Sequence, residues 1–243
     1  MEKEKVIING EETEIYTIED FSIFNDVLKK ENNERRERSK IIIDKYQELT
    51  KNGFFVLDTE TTDLQGEVVS FSLIDEKNNI LINELCKPTM QKISKKAESI
   101  HNISNEMIKN SRNIISIYED FLKIINSEEN KNKQIFIYNE DFDLSTIYRS
   151  LNFAKYKYKE NNDFDNVEFR SHCVMKDFAF LYGDFNEYFG GYQWKTLEYA
   201  ANYFNIETSN LELHNSAIDC YLTLKVIENM RDFKPEFFEI IEE

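Results

Sequence analysis

The sequence predicts an α/β protein in which a mixed β-sheet is flanked by helices. Three β-prone runs separated by short gaps, at 54–57, 68–74 and 80–85, open the main part of the chain. Short gaps imply antiparallel neighbours. Helical patterns then alternate with β-prone runs, which favours parallel strands in the rest of the sheet. Hydrophobic residues make up 41% of the 243 residues, so the chain can form a sizeable core.

Residues 1–52 precede this pattern, and we interpret them as an N-terminal appendage to a main domain at 53–243. Asn9-Gly10 is a turn signal between two β-prone runs and predicts a small hairpin. From Phe21 to about Lys51 the pattern indicates one or two amphipathic helices. Two interpretations stay open for this appendage: it docks a partner such as a polymerase, or it caps the core of the main domain.

The remaining elements of the main domain follow the three strands. Strands are predicted at Gln134–Tyr138 and within Val167–Val174. Helices are predicted at roughly 104–127, 141–154, 176–182, 195–204 and 215–231. Pro235 lies just beyond the last helix, as is common after a helix ends.

The charge and cysteine content exclude several classes of protein. The chain has 46 acidic and 30 basic residues, for a net charge of −16. This charge disfavours non-specific binding to DNA or membranes, but it allows an enzyme that binds nucleic acid through metal ions. The three cysteines form no CxxC pair, which indicates reduced thiols in a cytoplasmic protein. We expect neither a secretory signal nor a membrane span.

Acidic residues follow the first apolar strand of the main domain. Asp58 and Glu60 are two positions apart, so in a strand their carboxylates point to the same face. Two such close negative charges repel each other, and a divalent cation relieves the repulsion. A solvated acidic turn is the alternative interpretation of the same residues.

Two further sites carry similar residue types. Asp143 follows the strand at 134–138, where an Asp also suits the first turn of a helix. His214 and Asp219 open the last helix, where a histidine is often a surface or capping residue. Together with Asp58 and Glu60, these residues have the layout that two metal ions need, and an imidazole can accept a proton from water near neutral pH.

These acidic residues and His214, with their neighbours in the sequence, resemble the motifs of the DEDDh (DnaQ-like) 3′–5′ exonuclease family, which has the ribonuclease H-like fold. The resemblance covers about 54–231. It rests on four segments in the family's order, which are Phe55–Thr62, Asn139–Asp143, His214–Asp219 and Ile100–Met107. Tyr138 stands where the family often has histidine.

The resemblance implies roles for individual residues. Asp58, Glu60 and Asp219 would hold one divalent ion, and Asp58 would bridge to a second ion on which Asp143 acts directly or through water. His214 would be the general base. The resemblance also implies contacts to the terminal nucleotide from the substrate-binding residues Thr61, Thr62, Leu64, His101, Asn139 and Phe142.

The function implied is that of a two-metal-ion 3′–5′ exonuclease using Mg²⁺ or Mn²⁺. It would remove nucleoside monophosphates from single-stranded 3′ ends, with DNA favoured over RNA. Trimming of RNA 3′ ends is the rival substrate assignment. A non-catalytic interaction module that accompanies a polymerase is a hypothesis of a different class.

Two basic segments and one tryptophan have less specific patterns. Arg149, Lys155, Lys157 and Lys159 alternate with aromatic residues, as in surfaces that bind single strands. A second cluster comprises Lys87, Lys92, Lys95 and Lys96. Each segment is also typical of a solvated face. We interpret Trp194 as core or loop packing.

Overall fold

The computed structural model describes residues 3–8, 11–16, 18–159, 170–209, 211 and 213–236. The strands are β1 (Lys3–Ile8), β2 (Glu11–Tyr16), β3 (Phe54–Thr61), β4 (Val68–Asp75), β5 (Ile80–Leu85), β6 (Gln134–Ile137), β7 (Ser171–Cys173), β8 (Phe185–Asn186) and β9 (Gly191–Tyr192). The helices are α1 (Ile18–Leu49), α2 (Lys95–His101), α3 (Ile114–Ile125), α4 (Glu140–Tyr158), α5 (Val174–Tyr182), α6 (Leu197–Tyr203) and α7 (Ser216–Arg231). None of these helices has both the length and the apolar character needed to cross a membrane.

The central sheet has five strands in the order β5-β4-β3-β6-β7. β3 is antiparallel to β4 and parallel to β6, while β4 and β5 are antiparallel and β6 and β7 are parallel. The predicted mixed sheet, with three antiparallel strands followed by parallel ones, is therefore confirmed. β3 lies at the junction between the two kinds of pairing, and its carboxyl end reaches past the last residue of β6.

The two faces of β3 belong to two different hydrophobic clusters. Phe55 and Leu57 pack in a cluster with residues of α3 and α4. Phe54 and Val56 pack in a cluster with residues of α1, α5 and α7. This division follows from the alternation of side chains along a strand, and it decides which helix each later residue of β3 faces.

The second half of α1 is part of the core. Ile42 and Tyr46 are fully buried and lie in the cluster that also contains residues of α5 and α7. The Tyr46 hydroxyl donates a hydrogen bond to Asp177 Oδ2 at 3.2 Å, and Lys45 Nζ lies 2.7 Å from Asp177 Oδ1. These contacts agree with the capping interpretation of this helix, while the domain boundary at 52/53 stays a prediction.

Some elements differ from the sequence prediction. The helix expected at roughly 104–127 is α3 alone, because the Asn113 side chain accepts a hydrogen bond from Ser116 N and begins the helix there. The sequence prediction missed α2, which begins at the cap Ser94, and the short strands β8 and β9. β1 and β2 pair antiparallel as expected, whereas the predicted turn at Asn9-Gly10 lies outside the described residues.

Truncating Tyr46 tests whether α1 is integral to the fold. We expect Tyr46→Ala to lower the free energy of unfolding by about 3 to 5 kcal/mol, because it leaves a large cavity in a buried cluster. Urea denaturation measures this change. Lys40→Ala, at an exposed position of the same helix, is the matched control and should change stability by less than about 0.5 kcal/mol. Equal, small effects of both substitutions would show that α1 does not stabilise the core.

Candidate active site

Three carboxylates converge at the carboxyl end of β3. Asp58 and Glu60 continue the face of β3 that packs against α7, and Asp219 lies in the first turn of α7. One oxygen from each carboxylate lies within 4.8 Å of the other two. Oxygen ligands at such spacing suit a hard divalent cation. The structure therefore brings together three of the four metal ligands that the sequence predicts.

Buried hydroxyl groups hold the first turn of α7 against the sheet. Ser216 Oγ lies 2.7 Å from Ser70 Oγ and 2.8 Å from Ser72 Oγ, and all three side chains are buried. The Asn215 side chain caps the helix by accepting a hydrogen bond from Ala217 N at 3.2 Å. Because α7 is attached to β4 at this point, Asp219 is held beside the neighbouring strand β3.

Asp143 approaches the same place from the other side of the sheet. It lies in the first turn of α4, which begins after a two-residue connection from β6. Thr59 donates its backbone N–H and its hydroxyl to Asp143 Oδ1, at 3.0 and 2.7 Å. Thr59 points to the opposite face of β3 from Asp58 and Glu60, so one strand positions carboxylates on both of its faces. Both hydrogen bonds from Thr59 go to Asp143 Oδ1, so neither of them uses the other carboxylate oxygen, Oδ2.

The four carboxylates destabilise one another's charged forms. Burial raises the pKa of Asp58 well above its usual range, and the neighbouring Asp143, Asp219 and Glu60 raise it further. Burial, followed by the charges of Asp219 and Asp143, raises the pKa of Glu60 to about 9. Burial raises the pKa of Asp143 to about 7, although the hydrogen bonds from Thr59 oppose this shift. A cluster of this kind favours either bound protons or a bound cation.

His214 borders the carboxylates at the exposed side of the cleft. Its backbone φ of 61° lies in the left-handed region, which is uncommon for a residue other than glycine. Burial raises the pKa of Asp219 to about 6, while the charge of His214 and a hydrogen bond from its backbone N–H act in the opposite direction. The His214 main chain and the Asp219 carboxylate therefore interact directly.

These residues line a cleft of about 410 Å³. Its lining comprises Asp58, Thr59, Glu60, Tyr138, Asn139, Phe142, Asp143, Met175, Trp194, Lys195, Thr196, Leu197, His214 and Asp219. Of the predicted substrate-binding residues, Asn139 and Phe142 lie here, next to the carboxylates. Tyr138, Met175 and the segment 194–197 had no predicted role in the site. Met175 and the segment reach the cleft only through tertiary packing.

The interpretation of Trp194 as a packing residue is wrong. Its side chain is 63% exposed and faces the cleft, because the chain leaves β9 and enters α6 at the cleft edge. A tryptophan shortly before a helix cap gives no local signal that separates packing from exposure. Only the arrangement of α5, α6 and α7 shows the difference.

The other predicted substrate contacts lie outside this cleft, and their role stays a prediction. Thr61 and Thr62 are buried, and Thr62 Oγ1 is hydrogen-bonded to Gln91 Oε1 at 2.7 Å. Leu64 is 72% exposed and lines a separate groove with Gln91 and neighbouring residues. His101 is buried; its Nδ1 accepts a hydrogen bond from Ile103 N, so Nε2 donates to Thr61 O at 3.1 Å. His101 thus supports the end of β3.

Two of the predicted basic residues contact loop carbonyls. Arg149 donates to Gly66 O at 2.9 Å, and Lys157 donates to Thr89 O at 2.7 Å. These bonds attach α4 to the loops on either side of β4 and β5. Binding of nucleic acid by this segment stays a prediction.

Comparison with known proteins identifies relatives of this chain. A model of the exonuclease family RNase_T matches residues 55–227, which include all five residues of the carboxylate and histidine cluster. A protein named as the uncharacterized exonuclease CP81 of Escherichia phage 186 is 32% identical over 175 residues, which cover 71% of this chain and 84% of that protein.

Solved structures share the fold. Exonuclease X in complex with 5′ overhanging duplex DNA aligns with a TM-score of 0.50 and 19% identity, over 74% of this chain and 91% of that one. The nuclease domain of 3′hExo, a DEDDh family member bound to rAMP, aligns with a TM-score of 0.53 and 11% identity, over 78% of this chain and 98% of that one. The chain belongs to the RNase_T exonuclease family and is a DEDDh-type exonuclease with the ribonuclease H-like fold.

Proposed function

We propose that this exonuclease hydrolyses single-stranded nucleic acid from the 3′ end, prefers DNA to RNA and releases nucleoside 5′-monophosphates. The observation that carries the proposal is the convergence of Asp58, Glu60 and Asp219 within 4.8 Å, with Asp143 and His214 on the same cleft. The complex of exonuclease X with 5′ overhanging duplex DNA supports DNA as the kind of nucleic acid, and the complex of E. coli exonuclease I with a dA16 oligonucleotide supports a single strand. The complex of 3′hExo with rAMP supports RNA as the alternative substrate. Cleavage of DNA and of RNA is therefore compared in one assay.

The residues present fit two divalent ions, Mg²⁺ or Mn²⁺. Carboxylate oxygens are the ligands that these hard cations prefer. The pKa values of Asp58 and Glu60 are raised by burial and then by the charges of the neighbouring carboxylates, and bound positive charge would offset both effects. Asp58, Glu60 and Asp219 would hold one ion, and Asp58 and Asp143 would hold the second. Such ions, when bound, supply Lewis-acid polarisation of the phosphodiester and lower the pKa of a water molecule.

His214, which lines the same cleft, is the general base in this proposal. It accepts a proton from the attacking water, whose oxygen forms the new bond to the terminal phosphorus. The bond from phosphorus to the 3′-oxygen of the shortened strand breaks, and that oxygen leaves as a hydroxyl after taking up a proton. The exposed position of His214 allows the imidazole to pass its proton to solvent before the next cycle.

Substitution of Asp58 tests the activity and its polarity. The assay uses single-stranded DNA and RNA oligomers labelled at the 5′ end, with Mg²⁺ or Mn²⁺. We expect a ladder that shortens from the 3′ end, faster on DNA, and a loss of at least about a hundredfold in Asp58→Asn because a metal ligand is removed. Asp120→Asn, the same change at a solvent-accessible side chain of α3 away from the cleft, should leave the rate unaltered. Absence of metal-dependent product on both substrates would disprove the proposal, and faster RNA cleavage would reverse the substrate preference.

Substitution of His214 tests the general base. We expect His214→Asn to lower kcat by about 10²- to 10⁴-fold. Asparagine tolerates the left-handed backbone at this position, so the loss reports on the imidazole and not on the loop. The wild-type rate should be lost under acidic conditions, since a protonated imidazole cannot accept a proton. A variant that retains the full rate and the same pH profile would exclude this role.

The pH dependence of stability tests the charge state of the cluster. Unfolded carboxyl groups titrate near pH ~4, whereas the folded pKa is about 6 for Asp219 and about 9 for Glu60. The metal-free folded state thus holds extra protons in this window, and its free energy of unfolding falls as pH rises, by about 1.4 kcal/mol per pH unit for each extra proton.

Unfolding in EDTA and in Mg²⁺ measures this slope across the same window. We expect Mg²⁺ to flatten it, because the bound cation replaces the protons. Glu60→Gln in EDTA should also be flatter than wild type, since it removes the group whose pKa is raised to about 9. Identical slopes in all three samples would contradict the assignment of these carboxyl groups as a repulsive cluster.

A further inference from the structure

Trp194 is an exposed aromatic residue in the active-site cleft. It is the only tryptophan of the chain. Its indole is 63% exposed and has no ring contact or hydrogen bond with any residue in the described ranges. A large apolar surface that stays open beside a reaction centre is a candidate contact for ligand.

The backbone around Trp194 is fixed from two directions. The Tyr138 hydroxyl lies 2.9 Å from both Lys195 O and Thr196 O. On the other side, Gln193 N donates to Asp184 O at 2.8 Å. The main chain that carries the indole is therefore fixed, so that a ligand contact has to order the side chain but not the segment.

The cleft offers little positive charge to a phosphate chain. Among its lining residues in the described part of the chain, Lys195 is the only lysine or arginine, against four carboxylates. Lys195 Nζ lies 2.5 Å from Asp184 Oδ2 and is paired there. Once the carboxylates are occupied, the remaining contacts in the cleft are largely apolar, and Phe142, Met175 and Leu197 contribute to them with Trp194.

We propose that Trp194 stacks on the base of the 3′-terminal nucleotide and supplies binding energy that the acidic cleft does not obtain from basic side chains. This inference rests on the proposed exonuclease function and adds a binding residue to it. Stacking uses the face that every base has, so it holds the strand end without selecting its sequence. Because the terminal nucleotide becomes the product, the released nucleoside monophosphate binds to the same indole.

A substrate lacking its terminal base tests the stack. The KM of wild type and Trp194→Ala is measured on an oligomer with a normal 3′-terminal nucleotide and on one with an abasic terminal nucleotide. Removing either partner of the stack should raise KM by about 5- to 150-fold. Removing the base should have little further effect in Trp194→Ala, because its partner is already absent. Trp194→Phe should restore most of the affinity.

The opposite pattern overturns the inference. If deletion of the base raises KM equally in wild type and in Trp194→Ala, the two groups act independently, and Trp194 does not stack on that base. A structural role alone would give this independent pattern, since a distorted cleft would weaken both substrates. The inference is also overturned if the wild-type KM is the same for the oligomer with a normal 3′-terminal nucleotide and for the abasic one.

Tryptophan fluorescence gives a second test that needs no turnover. We expect dAMP with Mg²⁺ to quench the emission of the wild-type protein saturably, and 2-deoxyribose 5-phosphate with Mg²⁺ to leave it unchanged. Since the protein has one tryptophan, the signal comes from Trp194 alone. If dAMP quenches the fluorescence but the protein hydrolyses neither DNA nor RNA, the proposed function is refuted and the stacking on Trp194 is supported. An active protein without the quench would refute the stacking site alone.

Discussion

The mutual repulsion of four carboxylates in one partly buried cleft is the constraint on which the rest of the site depends. Their charged forms are destabilised by burial and by one another, as the raised pKa of Asp58 shows. A protein keeps such a cluster only if its backbone cannot move the acids apart. Here the alternation of β3 fixes Asp58 and Glu60 on one face and Thr59 on the other, and Thr59 holds Asp143 with two hydrogen bonds. The strand at the junction of parallel and antiparallel pairing thus supports the whole site: Asp58 and Glu60 pair with β4, and the residues just before them pair with β6 as well.

The elements around β3 are each held in position by a specific contact. The three serine hydroxyls that join α7 to β4 set the distance of Asp219 from the sheet. The second half of α1 covers α5 and α7 from outside and contributes Tyr46 to their common cluster. Tyr138 links the end of β6 to the segment before α6. The serine and Tyr138 contacts are polar and the cluster around Tyr46 is largely apolar, and each joins elements that are far apart in the chain. Local stiffness at the cleft therefore comes from long-range contacts.

The sequence predicts the acidic residues of the site well, but it does not predict the other residues that line the cleft. Asp58 and Glu60 are recognisable because a two-residue spacing has a definite geometry at the end of an apolar strand. Asp219 is recognisable because an acid early in an apolar helix needs a partner. Trp194 gives no such signal, since its exposure depends on how α5 and α6 pack. For His101 the motif resemblance predicts a contact to the nucleotide. In the structure both ring nitrogens are instead hydrogen-bonded to the main chain, to Thr61 O and to Ile103 N. These contacts depend on the fold around the loop, which the motif does not describe.

The order of the site residues along the chain governs when the site can exist. A ribosome makes the chain from its N-terminus, so β3 is synthesised long before α7. Until α7 has emerged and docked through Ser216, the acids of β3 lack Asp219, and the lining residue His214 is not in place. The carboxylate cluster is therefore incomplete until α7 has docked on β4. Because β3, α4 and α7 are far apart in the chain, the cluster forms only when these distant segments have folded together, and none of them can form it alone.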